Sequence, residues 1–178
     1  RNYSLDAIEK YINYIDGTSK NTYRLLEDTL AWISAENGKL KTVKEQYLIS
    51  EMIVAVLENY HPIAKLKNIT IHFNEASEVT VFCDANMIKT VLRNLLSNAI
   101  KFTNNNGEIH IMVDIDLNET KISITDNGIG IAANLQSELL GIHEIYSTSG
   151  TAREKGTGMG LVLCKEFIEM HHGILSIN

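Results

Sequence analysis

The stretch RNLLSNAIKFTNN, residues 93–105, combines an apolar helical face with a second face of amide and amine side chains. Asn94, Asn98 and Lys101 follow one another at steps of four and three residues, so they share one side of a helix that we predict over 85–103. The simplest interpretation is a solvated outer face. The alternative is a face that contacts a ligand, and the remaining motifs of the chain decide between the two.

Composition and charge limit what the chain can be. The 178 residues are 44% hydrophobic and 21% charged, which is typical of a globular protein of one or two domains. The net charge of -6 argues against a nucleic-acid partner, because no basic stripe is available to neutralise phosphates. Cys83 and Cys164 stand singly among apolar residues, so we predict small core residues in a reducing compartment rather than a disulfide or metal ligands.

The sequence carries no sign of a membrane segment. No uninterrupted apolar run is long enough to cross a bilayer, and no signal peptide is visible. We expect no membrane contact by this part of the chain, and the unpaired cysteines favour a cytoplasmic location, with this part as the cytoplasmic portion of its parent. Because the sequence opens on Arg1 rather than methionine, we also expect a segment of a longer parent, whose membrane attachment stays open.

The first part of the chain predicts one long helix over residues 4–36. A heptad seam runs along it, with members at alternating steps of four and three: Ile8, Ile12, Ile15, Ser19, Thr22, Leu26, Thr29 and Ile33. A helix of this length, about 50 Å, favours a helical bundle over a surface helix packed on the following domain. We place a boundary at Gly38, with residues 1–38 as a partial bundle domain and 39–178 as the second domain.

After Gly38 the pattern alternates between short strands and helices. TVKEQYLI predicts a strand that leads into a helix over 49–66, which Pro62 should kink or shorten. ITIHF and VTVFC predict strands, GEIHIMVDID and TKISITD a hairpin, residues 158–171 a helix, and ILSIN a last strand. The mixture predicts an α+β fold, a two-layer α/β sandwich with a mixed, mostly antiparallel sheet and helices on one face.

Two glycine-rich stretches flank elements of this second domain. DNGIGI follows a predicted strand and places Asp126 at the strand end, beside Gly128 and Gly130. KGTGMGL places Gly156, Gly158 and Gly160 directly before a predicted helix. Glycines let a backbone approach a ligand closely, and a helix N-terminus favours phosphates. Neither stretch fits a Walker loop or the dinucleotide fingerprint.

Taken in chain order, the asparagine-bearing stretch 93–105, DNGIGI and KGTGMGL resemble the ATP-binding domain of sensor histidine kinases. This domain has a Bergerat-type ATP-binding fold, which is shared with gyrase, Hsp90 and mismatch-repair ATPases. The resemblance covers about residues 41–178. The long helix before it, which ends in SAENGKLK, resembles the second helix of the dimerisation and histidine-phosphotransfer domain. Against the family pattern, a final strand or hairpin is expected to be missing.

The resemblance implies roles for residues of the helix predicted over 85–103. Asn98 matches the asparagine that ligates Mg²⁺ at the ATP phosphates, a hard-oxygen ligand as this ion prefers. Asn94 and Lys101 match positions that face the phosphates, and these two are our candidate catalytic residues. Phe102 matches an aromatic position near the adenine, with plain core packing as the alternative. Asp126 matches the aspartate that accepts a hydrogen bond from the adenine amino group.

The resemblance also identifies residues 132–156 as a lid over the phosphates. It implies further nucleotide contacts at the glycines and at the start of the last helix: Gly128, Gly130, Arg153, Lys155, Gly156, Thr157, Gly158, Met159, Gly160 and Leu161. The hydroxyl residues Ser147, Thr148 and Thr151 are additional candidates for phosphate contact. GIHEIYSTSG departs from the phenylalanine-rich segment usual before the lid, so we expect lid packing to differ from the family pattern.

The implied function is transfer of the ATP γ-phosphate to a histidine in a two-component phosphorelay, with ATP and Mg²⁺ as cofactors. The six histidines all lie between residues 61 and 172, outside the setting in which the family keeps its acceptor. Expected partners are a weakly associating second copy, through the long helix, and a response-regulator receiver domain. The alternatives are an ATP-hydrolysing clamp or chaperone, which keeps a glutamate where this chain has Asn94, and a non-catalytic dimerisation or docking module.

Overall fold

The structure is a computed structural model, and it divides the chain into two compact units, Arg1–Leu40 and Lys41–Asn178. It describes the following residues: 9, 11, 12, 15, 19, 22, 23, 26, 29, 30, 33, 34, 41–74, 78–116, 119–132, 135, 136, 139, 148–152, 154 and 158–178. Among these residues, no helix is both long enough and apolar enough to cross a membrane.

The described residues of the first unit, between Glu9 and Ser34, are all helical. Four apolar members of the predicted seam are open to solvent, with exposures of 59% at Ile12, 62% at Ile15, 56% at Leu26 and 43% at Ile33. The predicted helix ends, together with Ile8 and Gly38, lie outside the described residues. The first unit therefore presents an uncovered apolar stripe at heptad spacing.

The second unit begins with strand β1, Glu45–Leu48, which runs directly into helix α1, Ile49–Leu66. Pro62 lies inside α1, which keeps the predicted bounds, so the expectation of a shortened helix is wrong and that of a kink stays a prediction. The proline removes one backbone hydrogen bond. Tyr60 and Ala64, which are both buried, keep this last part of the helix on the core.

The strands form two ladders in the described part of the chain. β2, Thr70–Phe73, pairs in parallel with β4, Glu108–Asp116, and β4 pairs antiparallel with β5, Glu119–Asp126. β3, Thr80–Cys83, pairs antiparallel with β1. The β4–β5 hairpin and the mixed α+β architecture are confirmed. β2 and β3, neighbours in sequence, belong to different ladders.

Two further helices complete the core. Helix α2, Ala85–Phe102, packs against α1, and helix α3, Gly160–Met170, packs against α2. Leu96 and Ile109 lie in the core at 1% and 0% exposure, and burial of each such side chain stabilises the fold by about 1.5–3 kcal/mol. Cys83 and Cys164 are both buried, which confirms the prediction of small core residues.

The predicted last strand, ILSIN, is wrong. Residues 173–178 are not in a strand, and Ile174 is 92% exposed. A strand is stable only when a neighbouring backbone satisfies its hydrogen-bonding groups, and none of the described strands pairs with this segment. The apolar alternation of ILSIN is thus not sufficient to form a strand in this structure.

The start of α2 is held by a buried carboxylate that pattern reading overlooked. Asp84 Oδ1 accepts hydrogen bonds from the backbone N–H groups of Asn86 and Met87, and Asp84 Oδ2 accepts one from Val43. The Asp84 N–H donates to His171 Nε2 at 2.9 Å, and His171 Nδ1 lies 2.6 Å from the Phe167 carbonyl. Nε2 is therefore the acceptor and Nδ1 the donor, which assigns a neutral His171 that links the end of α3 to the start of α2.

Candidate functional site

Two asparagine side chains of the 93–105 stretch carry amides without a hydrogen-bond partner. Asn94 and Asn98 are both half-buried on α2, and within the described residues neither amide has a hydrogen-bond partner. Asn94 faces the start of α3, because a Cβ atom built on Gly160 would lie 3.0 Å from Asn94 Oδ1. A half-buried amide without a partner is available to a ligand or to water, since leaving it unsatisfied is costly.

Lys101, the third member of the stripe, is turned toward the residues at the C-terminal end of the predicted lid. We call residues 148–152 and 154 the lid-flank segment. The Lys101 ammonium donates to the Thr148 carbonyl at 2.6 Å and lies 4.6 Å from the centroid of the Phe102 ring. Burial lowers the pKa of Lys101, and the nearby Glu154 carboxylate opposes that shift.

Phe102 and the first glycine motif are in close contact. The Phe102 carbonyl accepts a hydrogen bond from Ile129 N–H at 3.1 Å, and a Cβ atom on Gly128 would collide with the same carbonyl oxygen. Gly128 N–H donates to Asp126 Oδ1 at 2.9 Å, and the Asp126 side chain is exposed. The contact between Gly128 and the Phe102 carbonyl requires glycine at 128. Within the described residues, the second carboxylate oxygen of Asp126 has no hydrogen-bond donor.

Asn127 and Gly130 have different roles beside this contact. Asn127 Oδ1 accepts from Glu108 N–H at 2.8 Å, and Asn127 N–H donates to the Glu108 carbonyl at 3.2 Å. The side chain is thus used within the fold, at the start of β4. Gly130 has φ +67° and open space around it, so its requirement for glycine is conformational.

The start of α3 is formed by the second glycine motif. Gly158 has φ +78°, a left-handed conformation that side chains other than glycine rarely adopt. Met159 is 7% exposed and Leu161 is half-buried, so both contribute packing at this helix start. Among the described residues, no side chain caps the α3 N-terminus. An uncapped helix N-terminus beside the Asn94 amide is a favourable environment for an anionic group.

One candidate phosphate contact in the described part of the lid, Thr151, is corrected by the structure, and five other candidates lie outside the described residues. Thr151 uses its hydroxyl inside the fold, because it donates to the Thr103 carbonyl at 2.8 Å and accepts from the Lys67 ammonium at 2.7 Å. It is therefore not a free phosphate ligand. Thr148 contacts Lys101 through its backbone carbonyl. Four candidate contacts and one hydroxyl lie outside the described residues: Arg153, Lys155, Gly156, Thr157 and Ser147.

A buried lysine that sequence reasoning missed holds the lid-flank segment. Lys67 is 7% exposed, and its ammonium donates to the Ile100 carbonyl at 2.7 Å, to Thr151 Oγ1 at 2.7 Å and to Glu154 Oε1 at 3.1 Å. The negative end of the α2 dipole, where Ile100 lies, adds to the attraction for this cation. Lys67, Thr151, Glu154 and the Ile100 carbonyl are called the Lys67 cluster below.

The Glu154 carboxylate keeps its charge in this cluster. Burial alone would raise the pKa of Glu154, but hydrogen bonds from the backbone N–H groups of Glu154 and Ala152 and from Lys67 outweigh it, and the pKa is lowered. Glu154 also accepts through its backbone carbonyl from Gly150 N–H at 2.9 Å. A Cβ atom on Gly150 would collide with this carboxylate, so the turn is closed by contacts that require a small residue at 150.

The site therefore brings together groups of complementary chemistry. In the described part of the chain, it has two amides without a hydrogen-bond partner, a helix N-terminus without a side-chain cap, the Lys101 ammonium, and the Asp126 carboxylate with one oxygen unpaired. The amides and helix N-terminus suit a phosphate-bearing ligand, and the Asn98 oxygen suits a hard divalent cation. The Asp126 carboxylate, which only accepts hydrogen bonds, suits an amino group.

Comparison with known proteins agrees with this chemistry. A family model described as histidine kinase-, DNA gyrase B-, and HSP90-like ATPase matches residues 83–178, which include all of the predicted site residues. The adaptive-response sensory kinase SasA of Synechocystis sp. is 32% identical over 152 residues, which are 84% of this chain and 39% of that protein. The chain spans well under half the length of the curated relatives it matches.

Solved structures have the same fold. The catalytic domain of histidine kinase ThkA superposes with a TM-score of 0.61 and 29% identity, over 72% of this chain and 81% of that chain. Histidine kinase ThkA in complex with the response regulator protein TrrA gives a TM-score of 0.72 over 97% of this chain and 47% of that chain, and its 23% identity supports the fold alone. With its family match and these kinase relatives, the chain belongs to the histidine kinase-, DNA gyrase B- and HSP90-like ATPases.

Proposed function

We propose that this chain is the ATP-binding catalytic part of a sensor histidine kinase, which transfers the ATP γ-phosphate to a histidine of its parent protein in two-component signalling. The observation that supports this best is the position of the unpaired Asn94 amide against Gly160, at the uncapped start of α3. A phosphate chain placed there meets an amide on one side and a helix N-terminus on the other.

The adenine end of the nucleotide is assigned to the first glycine motif. Asp126 keeps one oxygen on the Gly128 N–H and offers the other to the adenine amino group. Gly128 lies so close to the Phe102 carbonyl that no side chain can stand between the two segments. Phe102, which is half-buried, then supplies an aromatic surface beside the base.

The phosphate end is assigned to the stripe on α2 and to the start of α3. Asn98 would hold Mg²⁺ through its amide oxygen, and the ion would supply positive charge that compensates the phosphates. Lys101 would leave the Thr148 carbonyl, its partner in this structure, for a phosphate oxygen. The remaining contacts proposed for this end are Gly130 of the first glycine motif and residues of the lid and the second glycine motif: Arg153, Lys155, Gly156, Thr157, Gly158, Met159, Gly160 and Leu161.

Asn94 favours phosphoryl transfer over ATP hydrolysis. A clamp or chaperone relative would need a general base for water at this place, and an amide cannot take up that proton. Transfer to a histidine needs positioning and charge stabilisation, which Asn94 and Lys101 can supply without acting as a base. The hydrolase is therefore the second candidate, and the non-catalytic module the third, because the free amides are suited to a ligand.

The partners follow from the same proposal. The exposed stripe of the first unit, at Ile12, Ile15 and Leu26, would pair with a second copy of the helix. ThkA has been solved together with a response regulator, and we assign this chain a receiver domain of that class as the later phosphate acceptor. The location proposed for this part of the parent protein is the cytoplasm.

Calorimetry with a non-hydrolysable ATP analogue tests the proposal directly. We expect binding that is stronger with Mg²⁺ than without it, and Asn98→Ala should remove most of the Mg²⁺-dependent gain. Asn86→Ala is the matched control, because Asn86 is exposed on the same helix near its start. If Asn98→Ala and Asn86→Ala bind the magnesium complex like the parent, the stripe on α2 is a solvated face and the proposal is wrong.

A further inference from the structure

Three side chains outside the nucleotide site converge on the sheet. His72 lies on β2, Glu108 and His110 lie on β4, and His72 and His110 are direct partners in the parallel register. Their rings stack with centroids 4.5 Å apart and an interplanar angle of 10°. Both Nε2 atoms approach the same oxygen, Glu108 Oε2, at 3.9 Å from His72 and 3.4 Å from His110.

The backbone beneath this cluster is fixed on both sides. Asn127 holds the Glu108 N–H at 2.8 Å through its side chain and bonds to the Glu108 carbonyl through its own N–H. Thr70 N–H donates to the Gly107 carbonyl at 3.0 Å and so aligns the start of β2 with β4. Only the side chains of the cluster remain to be adjusted, which lowers the entropic cost of binding a shared ion.

The cluster lies on the sheet face opposite the helices. Ile109 and Ile111, which alternate with Glu108 and His110 along β4, are buried in the core. The three side chains of the cluster are about half exposed, at 47% for His72, 54% for Glu108 and 49% for His110. Solvent and ions therefore reach the three donor atoms directly.

We propose that His72, Glu108 and His110 form a surface site for a divalent first-row transition ion of the Zn²⁺ class. Both imidazole Nε2 atoms and the Glu108 carboxylate are ligands, and water completes the coordination. The donor atoms lie within 4.8 Å of one another, so side-chain rotation alone can bring them to metal–ligand distances of about 2.0–2.2 Å. Two nitrogens and one oxygen suit Zn²⁺, Cu²⁺ and Ni²⁺, whereas Mg²⁺ prefers oxygen ligands only.

This site is separate from the one proposed for the nucleotide. Directly opposed residues of an antiparallel pair share a sheet face. Asp126 is opposite Ile109, whose side faces the helices, whereas His110 is opposite Thr125 on the outer face. The two sites would also differ in ion preference, since the proposed nucleotide site would hold Mg²⁺ through the Asn98 amide oxygen. Zn²⁺ binding can thus be measured with no nucleotide present.

The experiment is a Zn²⁺ titration of the full 178-residue chain by calorimetry, without nucleotide or phosphate. We expect one tightly bound Zn²⁺ ion per chain, which a large molar excess of Mg²⁺ does not displace. Replacement of either histidine, His72→Asn or His110→Asn, should weaken binding about tenfold or more. Glu108→Gln should have a smaller effect in the same direction. His61→Asn is the matched control, because His61 is exposed on α1, and it should leave the affinity for the tightly bound Zn²⁺ unchanged.

Two readouts keep the result independent of stability. Circular dichroism compares the fold of each variant, and Co²⁺ absorption reports nitrogen ligation at the metal itself. If the folded double variant His72→Asn/His110→Asn binds Zn²⁺ like the parent, or if Mg²⁺ displaces the ion, the proposal is wrong. A surface ion pair between Glu108 and the two histidines would then account for the geometry.

Discussion

The Lys67 ammonium lies 3.1 Å from the Glu154 carboxylate although the two residues are 87 positions apart in the chain. This ion pair joins the end of α1 to the lid-flank segment, and the same ammonium satisfies the Ile100 carbonyl at the end of α2. The Lys67 cluster therefore sets where the flank of the predicted lid begins, beside Lys101. The Lys67 ammonium also donates to the Lys101 carbonyl at 3.2 Å, so the cluster is in direct contact with the backbone of the proposed phosphate contact.

Lys67→Met should destabilise the second unit. The substitution leaves the buried Ile100 carbonyl and the part-buried Glu154 carboxylate without this donor, and an unsatisfied buried group costs about 1–3 kcal/mol. We expect a loss of that order in urea unfolding monitored by circular dichroism. Lys65→Met, on the exposed side of the same helix end, is the control and should change stability by less than about 0.5 kcal/mol. Equal stabilities for the two variants would contradict the role given to the cluster.

The lowered pKa of Glu154 predicts a dependence of stability on pH. A carboxyl whose folded pKa lies below its unfolded value contributes stability above the unfolded pKa, about 4.3, and loses it as pH falls through the folded value. The stability difference between the parent and Glu154→Gln should therefore shrink on acidification from about pH 6 to about pH 3. Unfolding curves at several pH values measure it. A difference that stays constant across this range would show that the carboxylate charge contributes nothing.

Gly128 and Gly130 should respond differently to alanine. In Gly128→Ala the new methyl group meets the Phe102 carbonyl, so the contact must open, and we expect a loss of about 1–3 kcal/mol together with weaker nucleotide binding. Gly130→Ala meets no atom and should cost only about 1–2 kcal/mol of backbone strain. Binding of a fluorescent adenine nucleotide separates the two. Equal losses of binding would mean that close approach at Gly128 is unimportant.

The features of the fold and of the candidate site that could be predicted from sequence are those that depend on residues close together in the chain. The stripe of Asn94, Asn98 and Lys101 depends on helical periodicity, and the β4–β5 hairpin on alternation across a short turn, so neighbours in sequence carry both signals. The Lys67–Glu154 pair and the pairing of β2 with β4 join distant segments, and no pattern within either segment reports them. ILSIN shows the converse, since a local strand pattern still needs a partner backbone.

Asp126→Asn should reduce the preference for adenine. One Asp126 oxygen accepts from the Gly128 N–H, and asparagine can keep that bond, so the turn survives. The other oxygen becomes an amino group that repels the adenine amino group and fits a guanine carbonyl instead. We expect ATP affinity to fall about tenfold and the ATP-to-GTP preference to shrink. Competition binding measures both, with the exposed Asp114→Asn as control. An unchanged preference would remove Asp126 from the adenine site.

The exposed seam of the first unit predicts weak, concentration-dependent self-association. Ile15 and Leu26 are 62% and 56% exposed, and a continuous apolar stripe of this kind is covered by a partner in most proteins. Ser19 and Thr22 are polar members of the seam and make it less apolar, so we expect a dimer only at high protein concentration. Sedimentation equilibrium should show it, and Ile15→Glu/Leu26→Glu should abolish it. Tyr23→Glu, exposed but off the seam, is the control, and an association state that the double variant leaves intact would show that the seam does not mediate contact between copies.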